Sequence, residues 1–469
     1  MAPVIFITDG LIFLLLVMVF SFVWYARGQE HLRAPWRAVA RNSMAMASAV
    51  ILFFYLLIGV MDSIHFHPEL ENVNNEETQY STEILSLLDV AITHLRAQDE
   101  KTYSAPFASY AYSKETIEVS DGSTLREYPR LNYGGAHLSD PEQEKTGDIL
   151  LKSVVGVIRG LIVWCLVSSI IIFTIKCRAR LSFMGVFNSM LKKNSDIPWK
   201  VIHLTIGVVI VSLTVLLYLS NYYHILGTDK VGQDVFYQSL KSVRTGLVIG
   251  TLTTLVMLPF AILMGLMAGY FRGWIDDVIQ YLYTTLSSIP SVLLIAAAIL
   301  MLQVYMANHA DDFVSLEQRA DMRLLFLCII LGITSWTGLC RMLRGEAMKL
   351  REIDYVQAAQ AFGVGHFRII MRHLLPNVMH IVMISIVLDF SGLVLAEAVL
   401  SYINIGVDPS MHSWGNMINS ARLEMAREPI VWWSLAAAFV FMFVLVLAAN
   451  LLSDAVRDAF DPRLRESIA

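Results

Sequence analysis

The sequence has little charge and little cysteine for its length. Only 16% of its 469 residues are Asp, Glu, Lys or Arg, whereas soluble globular chains carry about 25%. This composition argues against an intrinsically disordered chain and against a basic nucleic-acid-binding protein. Four cysteines do not make a disulfide-rich secreted module. None of them falls within residues 62–150, so no structural disulfide is predicted in that segment.

The common catalytic motifs are also missing. No G-x-x-x-x-G-K-[ST] phosphate loop occurs, so the chain itself is not predicted to hydrolyse ATP. Neither H-E-x-x-H nor G-x-S-x-G is present. The 12 histidines are scattered, with His65 and His67 as the only close pair. The sequence therefore predicts neither an enzyme nor a resident cofactor or metal ion.

What the chain has is apolar sequence. Hydrophobic residues make up 56% of it, and the mean hydropathy is +0.57. An apolar run of about 18 residues with few charges is long enough to cross a bilayer as a helix. Nine such runs predict an all-α, polytopic integral membrane protein. They lie at about Leu11–Trp24, Met44–Met61, Ser153–Phe173, Val201–Ser220, Thr245–Tyr270, Val278–Met301, Leu324–Leu339, Val378–Val399 and Val431–Leu452.

The distribution of Lys and Arg predicts the orientation. The links 25–43, 176–200 and 340–377 are rich in both, and short basic links stay on the cytoplasmic side. In a nine-span count they alternate correctly, which places the N-terminus outside and the C-terminus inside. Arg27 follows the first apolar run rather than preceding it, so that run is predicted to be a retained span and not a signal peptide. The expected location is a bacterial cytoplasmic (inner) membrane.

One long external segment, residues 62–150, carries 17 acidic and 6 basic residues, a net charge of −11. The formal charge of the whole chain is only −5, so acidic and basic regions are separated along it. Within the segment, Ser81–Gln98 has apolar residues at helical spacing. We expect a small external subdomain that caps the spans rather than a substrate site.

The third cytoplasmic link has an unusual pattern of helix, glycine, helix and proline. Asp354 is predicted to cap its first helix, with Gln357 as the capping-box partner. Gly363 suits a left-handed C-terminal position, and Pro376 is predicted to end the second helix and start the next span. Such a link serves either as a docking site for another protein or as an amphipathic connector on the bilayer surface. The residues alone leave both open.

The same link resembles the E-A-A-x₃-G-x₉-I-x-L-P loop of importer-type ABC permeases. Gln357 stands where that pattern has Glu, and His373 stands where it has Ile. In that family the loop docks in a cleft of an ATP-binding subunit and transmits its closure to the spans. The resemblance implies an ATPase-coupling role for Asp354, Gln357, Ala358, Ala359, Gly363, Arg368, Arg372, Leu375 and Pro376.

Further stretches between about 226 and 465 resemble one branch of that family, the C-type permease subunit of dipeptide, oligopeptide and nickel importers. Leu226–Val235 is similar to its L-G-T-D-x-x-G-R-D-V segment, with Gln233 in place of Arg. Asp461-Pro462-Arg463 is similar to its tail. The resemblance implies a type I permease core with an N-terminal extension. It also implies an external gate region that includes Gly227, Thr228, Asp229, Gly232, Asp234, Arg244, Glu397, Trp414 and Gly415.

The implied function is the transmembrane subunit of an ATP-driven importer of peptides. Nickel or another small solute is an alternative cargo, and an ATP-independent secondary transporter is a more distant alternative. The implied partners are a homologous second permease, two ATP-binding subunits and an external substrate-binding protein, all within or beside the lipid bilayer, and no nucleic acid. Asp389, central in its span, is a candidate for the translocation path or is protonated or paired with a neighbouring helix.

The first half of the chain departs from that family, whose members usually have one span before the segment at 226. Val201–Ser220 is the favoured equivalent of that span because it adjoins the segment. The predicted organisation is two spans in 1–61, an acidic external subdomain in 62–152, two spans in 153–220, an external segment in 221–244, a permease core in 245–453 with the coupling loop at 341–377, and a cytoplasmic tail in 454–469.

Overall fold

A computed structural model describes residues 2–28, 30–69, 80–118, 124–179, 197–309 and 315–460. The predicted tail motif at 461–463 and the basic residues Arg180, Lys192 and Lys193 lie outside the described residues. The described chain is predominantly helical. Its helices are α1 Ile7–Arg27, α2 Glu30–Arg41, α3 Ser43–Asp62, α4 Leu87–Ala91, α5 Thr93–Ala97, α6 Pro141–Ala179, α7 Trp199–Leu219, α8 Val235–Phe271, α9 Trp274–Ser288, α10 Ser291–Asn308, α11 Leu316–Arg351, α12 Asp354–Ala361, α13 His366–Ile369, α14 Leu375–Tyr402, α15 Trp414–Glu424 and α16 Trp433–Phe460.

Within the described ranges, nine helices are long and apolar enough to cross a membrane, which confirms the predicted number. The sixth predicted span, Val278–Met301, is wrong in its bounds. Helix α9 ends at Ser288, and α10 begins at Ser291 with Pro290 as its N-cap. Proline lacks an N–H and fixes φ, so it interrupts one helix and starts the next. The crossing helix is therefore α10 alone.

The chain divides into two compact units. Unit 1 comprises Met1–Val4, Arg37–Thr245 and His412–Ala448, and unit 2 comprises Ile5–Trp36, Gly246–Met411 and Ala449–Ala469. Unit 1 contains two small antiparallel sheets. The first has the order β1 (Ala2–Val4), β2 (His65–His67), β3 (Leu85–Ser86), and the second pairs β4 (Glu115–Glu118) with β5 (Thr124–Glu127).

In unit 1, α6 and α7 form a closely packed pair. Gly156 and Gly160, one turn apart on α6, let its backbone approach α7, because a Cβ on either would come within 3.1 Å of the Cα of Val215 or Val211. Small residues spaced by four are a usual means of close helix packing within a bilayer. The glycine spacing thus explains how two largely apolar helices associate.

The predicted helix over Ser81–Gln98 is two short helices preceded by strand β3. Helices α4 and α5 are separated at Ile92, whose φ of −120° is not helical. A capping box on Ser86 and Asp89 fixes the start of α4. Leu88, Ile92 and Leu95 are buried and pack with Phe236 and Leu240 of α8. The apolar spacing therefore identified these three buried residues, but it also included Leu87 and Ala91, which are exposed, and it did not indicate the break between the helices.

In unit 2, the C-terminal half of α8 lies against α11. A Cβ on Gly265 would meet Leu343 at 2.8 Å, and a Cβ on Gly269 would meet the carbonyl oxygen of Arg344 at 2.6 Å. Only glycine permits this backbone approach. Around the contact, residues of α8, α9, α11 and α14 form one continuous apolar core.

Candidate coupling loop and outer loop

Of the predicted coupling loop 341–377, residues 341–351 are the end of α11. The remaining stretch up to the first turn of α14, residues 352–376, keeps the name coupling loop and is anchored in the core of unit 2. Val356 of α12, Ile369 of α13 and Leu374 are fully buried there. Each burial removes an apolar side chain from water and contributes about 1.5–3 kcal/mol. A connector that only lay on the bilayer surface would not bury these side chains within the protein. The described contacts therefore favour the docking alternative.

The other side of the coupling loop is exposed. Phe362 is 88% exposed and Phe367 is 73% exposed. Ala358, which precedes both of them on α12, is also exposed. Gly363 has φ +76°, which confirms the predicted left-handed position. Phe367 and Ile370 lie three residues apart, yet Phe367 points outward and Ile370 is buried.

Two local predictions in the coupling loop need correction. Asp354 is the first residue of α12 rather than its cap, and the preceding residue Ile353 makes no side-chain capping bond. Gln357 donates from Nε2 to the carbonyl oxygen of Glu352 at 3.2 Å, so it does not complete a capping box. Asp354 still lies in the first turn, where a carboxylate interacts favourably with the helix dipole.

Pro376 does not separate two helices. Between α13 and α14 the chain continues as a π-helical turn, Ile370–Leu374, and Pro376 lies in the first turn of α14, where its missing N–H leaves no helical bond unmade. Leu375 begins α14 and is partly buried. Arg368 and Arg372 are exposed on the same stretch. A π turn inside a helix is rare and is enriched at functional sites.

Sequence reasoning missed the junction at Tyr270, the penultimate residue of α8. Its ring is 3% exposed, and its hydroxyl lies 2.8 Å from Nδ1 of His366 and accepts from Nε2 of Gln360 at 3.3 Å. Its carbonyl oxygen accepts from Nη1 of Arg351 at 2.8 Å. A tyrosine at the end of an apolar run resembles any interfacial aromatic, so the sequence carried no signal for this role.

In unit 1, residues 226–234 form a compact turn that we call the outer loop. Asp229 accepts backbone N–H bonds from Val231 (3.0 Å) and Gln233 (2.9 Å) through Oδ1. Asp234 accepts from the N–H groups of Phe236 (2.8 Å) and Tyr237 (3.2 Å), so it caps the N-terminus of α8. The carboxylates of Asp229 and Asp234 therefore stabilise the outer loop by accepting hydrogen bonds from nearby backbone N–H groups.

The external segment covers the outer loop. The backbone N–H of Glu100 donates to the carbonyl oxygen of Gly232 at 3.0 Å. Thr228 donates from Oγ1 to the carbonyl oxygen of Thr102 (2.9 Å) and accepts there from the N–H of Ser104 (2.6 Å). Gly227 and Gly232, at φ +71° and +85°, are buried beneath this segment. The outer loop is thus largely enclosed within unit 1, with Lys230 and Val231 exposed at its tip.

A buried charge cluster joins the same two segments. His224 lies with Nδ1 2.7 Å from Asp234 and Nε2 3.5 Å from Glu100, and all three side chains are almost fully buried. Burial lowers the pKa of His224, but its contacts with Asp234 and Glu100 outweigh burial and raise the pKa to about 9. His224 is therefore charged near neutral pH. Sequence reasoning did not single it out.

The remaining predicted gate residues divide between the units. In unit 1, Arg244 is buried on α8, Gly415 is buried in the first turn of α15, and Trp414 donates from Nε1 to the carbonyl oxygen of Ser239 at 3.2 Å. In unit 2, Glu397 is buried on α14 and accepts from Oγ of Ser401 at 2.7 Å.

Asp389 lies partly buried in the middle of α14. Two residues further along the same helix, Ser391 donates to Oδ1 of Asn450 on α16 at 2.7 Å. This pair was not predicted, because neither residue is charged and the two lie 59 positions apart in the chain. Hydrogen bonds between helices satisfy polar groups that hydrocarbon cannot solvate.

Comparison with known proteins fits this arrangement. Residues 261–466 match the family described as binding-protein-dependent transport system inner membrane component. The oligopeptide transport system permease protein OppC of Mycobacterium bovis is 32% identical over 242 residues, which are 52% of this chain and 77% of that protein. The chain belongs to this permease family. It is accordingly a multi-pass inner-membrane transport component.

Two further relatives of the permease carry related names. The glutathione transport system permease protein GsiD of Pectobacterium atrosepticum is 31% identical over 244 residues, 52% of this chain and 73% of its own length. The dipeptide transport system permease protein DppC of Bacillus subtilis is 29% identical over 242 residues, 52% of this chain and 69% of its own. In each case the matched residues make up about half of this permease. The coupling loop lies within residues 261–466, which match the family.

Proposed function

We propose that this permease is the C-type transmembrane subunit of an ATP-driven importer of peptides. The names of the relatives, which include dipeptide, oligopeptide and glutathione permeases, support a peptide-like cargo. ATP hydrolysis then takes place on separate subunits, because the chain has no phosphate-binding loop of its own.

The observation that carries the proposal is the two-sided coupling loop. One side is buried through Val356 and Leu374, and the other exposes Phe362 with Ala358 beside it. An exposed aromatic next to small side chains suits the cleft of a partner protein, because the aromatic fills a pocket and the small residues allow close approach. An ATP-binding subunit is the partner that such a loop engages. When that subunit closes, it moves a segment that is packed into the core of unit 2 rather than a free loop.

The partners in this proposal are two ATP-binding subunits, a homologous second permease and an external binding protein. The transport cycle alternates between two states, and ATP binding favours one of them. Asp389 and the Ser391–Asn450 pair supply polar groups along the core of unit 2 that suit a translocation path. Within unit 1, the outer loop is the part that we assign to the external gate.

The proposed orientation has the N-terminus outside. Strand β1 pairs with β2, which follows α3, so the chain end and the acidic external segment share one side. Thr8 at the start of α1 hydrogen-bonds Asp321 near the start of α11, which fits the same side for both helix ends. The basic links then lie in the cytoplasm.

The test is uptake by the reconstituted complex in proteoliposomes. Labelled di-, tri- and pentapeptides compete with one another and with Ni²⁺, in the presence of ATP, with vanadate, or with only a proton gradient. We expect ATP-dependent, vanadate-sensitive uptake that peptides inhibit and Ni²⁺ does not. Uptake driven by the proton gradient alone would contradict the proposal, and inhibition by Ni²⁺ alone would reassign the cargo.

A substitution on the exposed side of the loop tests docking. Ala358→Trp is expected to reduce ATPase-subunit binding at least about tenfold while leaving the fold intact, because the added ring points into the partner's space and not into the core. Ala426→Trp, in the connection after α15, is a control for the general effect of a large side chain. Unchanged binding in Ala358→Trp would contradict the docking role.

A further inference from the structure

We infer that Tyr270 is the positioning residue through which the coupling loop moves α8. The inference rests on the proposed function, since it takes the loop to be the ATPase-docking element. The hydroxyl of Tyr270 joins three elements at one point, because α8 carries the ring, α12 contributes Gln360 and α13 contributes His366.

The geometry makes this hydroxyl a shared node. Gln360 donates to its oxygen at 3.3 Å, and Nδ1 of His366 lies 2.8 Å from the same oxygen. The ring itself is enclosed, and it meets the imidazole of His366 edge-on at a centroid distance of 5.6 Å. A displacement of either loop helix therefore changes a hydrogen bond to α8 directly.

The backbone of Tyr270 is tied to the other arm of the loop. Nη1 of Arg351, the last residue of α11, donates to the Tyr270 carbonyl oxygen at 2.8 Å. Just past the end of α8, Arg272 pairs with Glu352 at 2.7 Å. The Arg272–Glu352 pair is exposed and contributes little, whereas the Arg351 bond is partly buried. The end of α8 is thus bonded to residues that precede α12 and to residues that follow it.

The contact can transmit movement because both of its ends are rigid. On α8, Gly269 precedes Tyr270 and packs against the α11 backbone, so the end of the helix cannot turn freely. On the loop, Val356 and Ile369 flank Gln360 and His366 and are fully buried. Closely packed elements transmit displacement instead of absorbing it.

The inference separates two roles within the loop. Exposed residues such as Phe362 hold the ATPase, whereas the enclosed Tyr270 hydroxyl conveys the resulting displacement to α8. Removing the hydroxyl should leave docking intact and weaken the response of α8. Tyr270→Phe is the variant of choice because it deletes one oxygen and keeps the ring that packs in the core.

The experiment is hydrogen–deuterium exchange on the full complex in nanodiscs, without nucleotide and after trapping with ATP and vanadate. Two segments are followed, namely residues 354–365 of the loop and residues 262–275 of α8. In the wild type we expect trapping to change exchange in both. In Tyr270→Phe we expect the change in 354–365 to persist and the change in 262–275 to fall at least about threefold, the scale of one or two lost hydrogen bonds.

Tyr355→Phe is the matched control. Its hydroxyl, in the same loop, accepts from Nδ2 of Asn377 on α14 at 2.9 Å, so this hydrogen bond leads to α14 rather than to α8. An equal loss of the α8 response in both variants would overturn the inference, as would a full response in Tyr270→Phe. Loss of the 354–365 change in Tyr270→Phe would also overturn it, because the residue would then be needed for docking.

Two additional readouts complete the test. If trapping does not change the exchange of residues 354–365 in the wild type, the docking proposal fails, and the inference fails with it. A failure at Tyr270 alone is distinguishable, because the wild type then still shows that change. Gln360→Leu and His366→Phe each remove one of the two bonds. Each is expected to reduce the α8 response less than Tyr270→Phe does, and a full response in both variants would contradict the shared node.

Discussion

Nδ1 of His224 lies 2.7 Å from a carboxylate oxygen of Asp234, the residue that caps α8. On its other side, Nε2 of the same ring faces Glu100 of the external segment at 3.5 Å. The charged ring of His224 therefore joins two different parts of the chain. One is the external segment, in the half of the chain that departs from related permeases, and the other is the outer loop, whose sequence resembles theirs.

The first prediction concerns pH. The pKa of His224 in the folded protein, about 9, exceeds the ordinary value of 6.5, so the protonated ring stabilises the fold. This contribution is complete below about pH 6.5, declines as pH rises, and is lost above about pH 9. We expect the melting temperature of the purified permease to fall between pH 6 and pH 9.5. The matching free-energy change is roughly 1–3 kcal/mol.

The control for that prediction is the His224→Gln variant. It keeps a polar side chain but cannot carry charge, so the part of the pH dependence due to His224 should disappear. His67→Gln, at a surface strand of the same unit, should keep the wild-type profile. An identical slope in the wild type and His224→Gln would contradict the assignment.

The second prediction concerns Lys241, whose ammonium group lies 2.5 Å from Asp62 and 3.0 Å from Asp89. Burial raises the pKa of Asp89, but Lys241 and hydrogen bonds from Ser86 and Tyr237 lower it to about 2. Lys241→Met leaves two buried carboxylates without their cation. We expect a loss of about 3–5 kcal/mol, measured by thermal or denaturant unfolding.

An exposed ion pair offers the comparison for Lys241. Lys101 pairs with Glu115 at 3.4 Å with its side chain mostly in solvent. Lys101→Met should cost at most about 1 kcal/mol. Because a carboxylate pair that has lost its cation can protonate, Lys241→Met should also recover part of its stability when the pH falls from 7 to 4.5. Equal destabilisation by the two lysine variants would contradict the burial argument.

The third prediction compares two glycines that share a left-handed backbone. A Cβ on Gly232 (φ +85°) would overlap the carbonyl oxygen of Glu100, whereas a Cβ on Gly273 (φ +60°) would meet nothing within 4 Å. Gly273→Ala should cost about 1 kcal/mol from conformational strain alone. Gly232→Ala should cost several times more, because the external segment must move. Thermal melting measures the stability of both variants. Similar losses of stability would show that the outer loop at Gly232 and the external segment at Glu100 are not in close contact.

The fourth prediction concerns Phe362. With 88% of its surface exposed, its substitution by Ser should leave the melting temperature unchanged within about 1–2 °C. If the ring fills a pocket of the ATP-binding subunit, affinity should fall at least about tenfold, as for an interface anchor. Leu423→Ser, 70% exposed on α15, is the control that should leave binding unchanged. Wild-type affinity in Phe362→Ser would remove this residue from the docking surface.

The predictability of the coupling loop varied from residue to residue. Gly363 was predicted correctly because only a residue without Cβ readily adopts its φ. Asp354 was misplaced by one position, since the same residue types favour the cap and the first turn. Helical spacing did not separate Phe367 from Ile370, because residues three apart lie near each other on a helix, and only packing decided that Phe367 is exposed and Ile370 buried.

The outer loop shows a different limit. Its residues were identified through a resemblance, but the partners that hold them lie more than 100 positions away, as with Thr228 and Ser104. Similarly, Tyr103 donates to Glu424 at 2.7 Å across 321 positions. Local sequence carries no information about such pairs, because each residue alone is compatible with an exposed loop.

Sequence by itself determined the number of spans and the family, because bilayer crossing depends on the length of apolar runs and the family on the order of short motifs. Only the tertiary structure decided which polar groups meet. It enclosed His224 between Asp234 and Glu100, and it placed the Tyr270 hydroxyl between Gln360 and His366. The physical reason is that a buried polar group must find its partner in space, and spatial proximity arises from packing rather than from position along the chain.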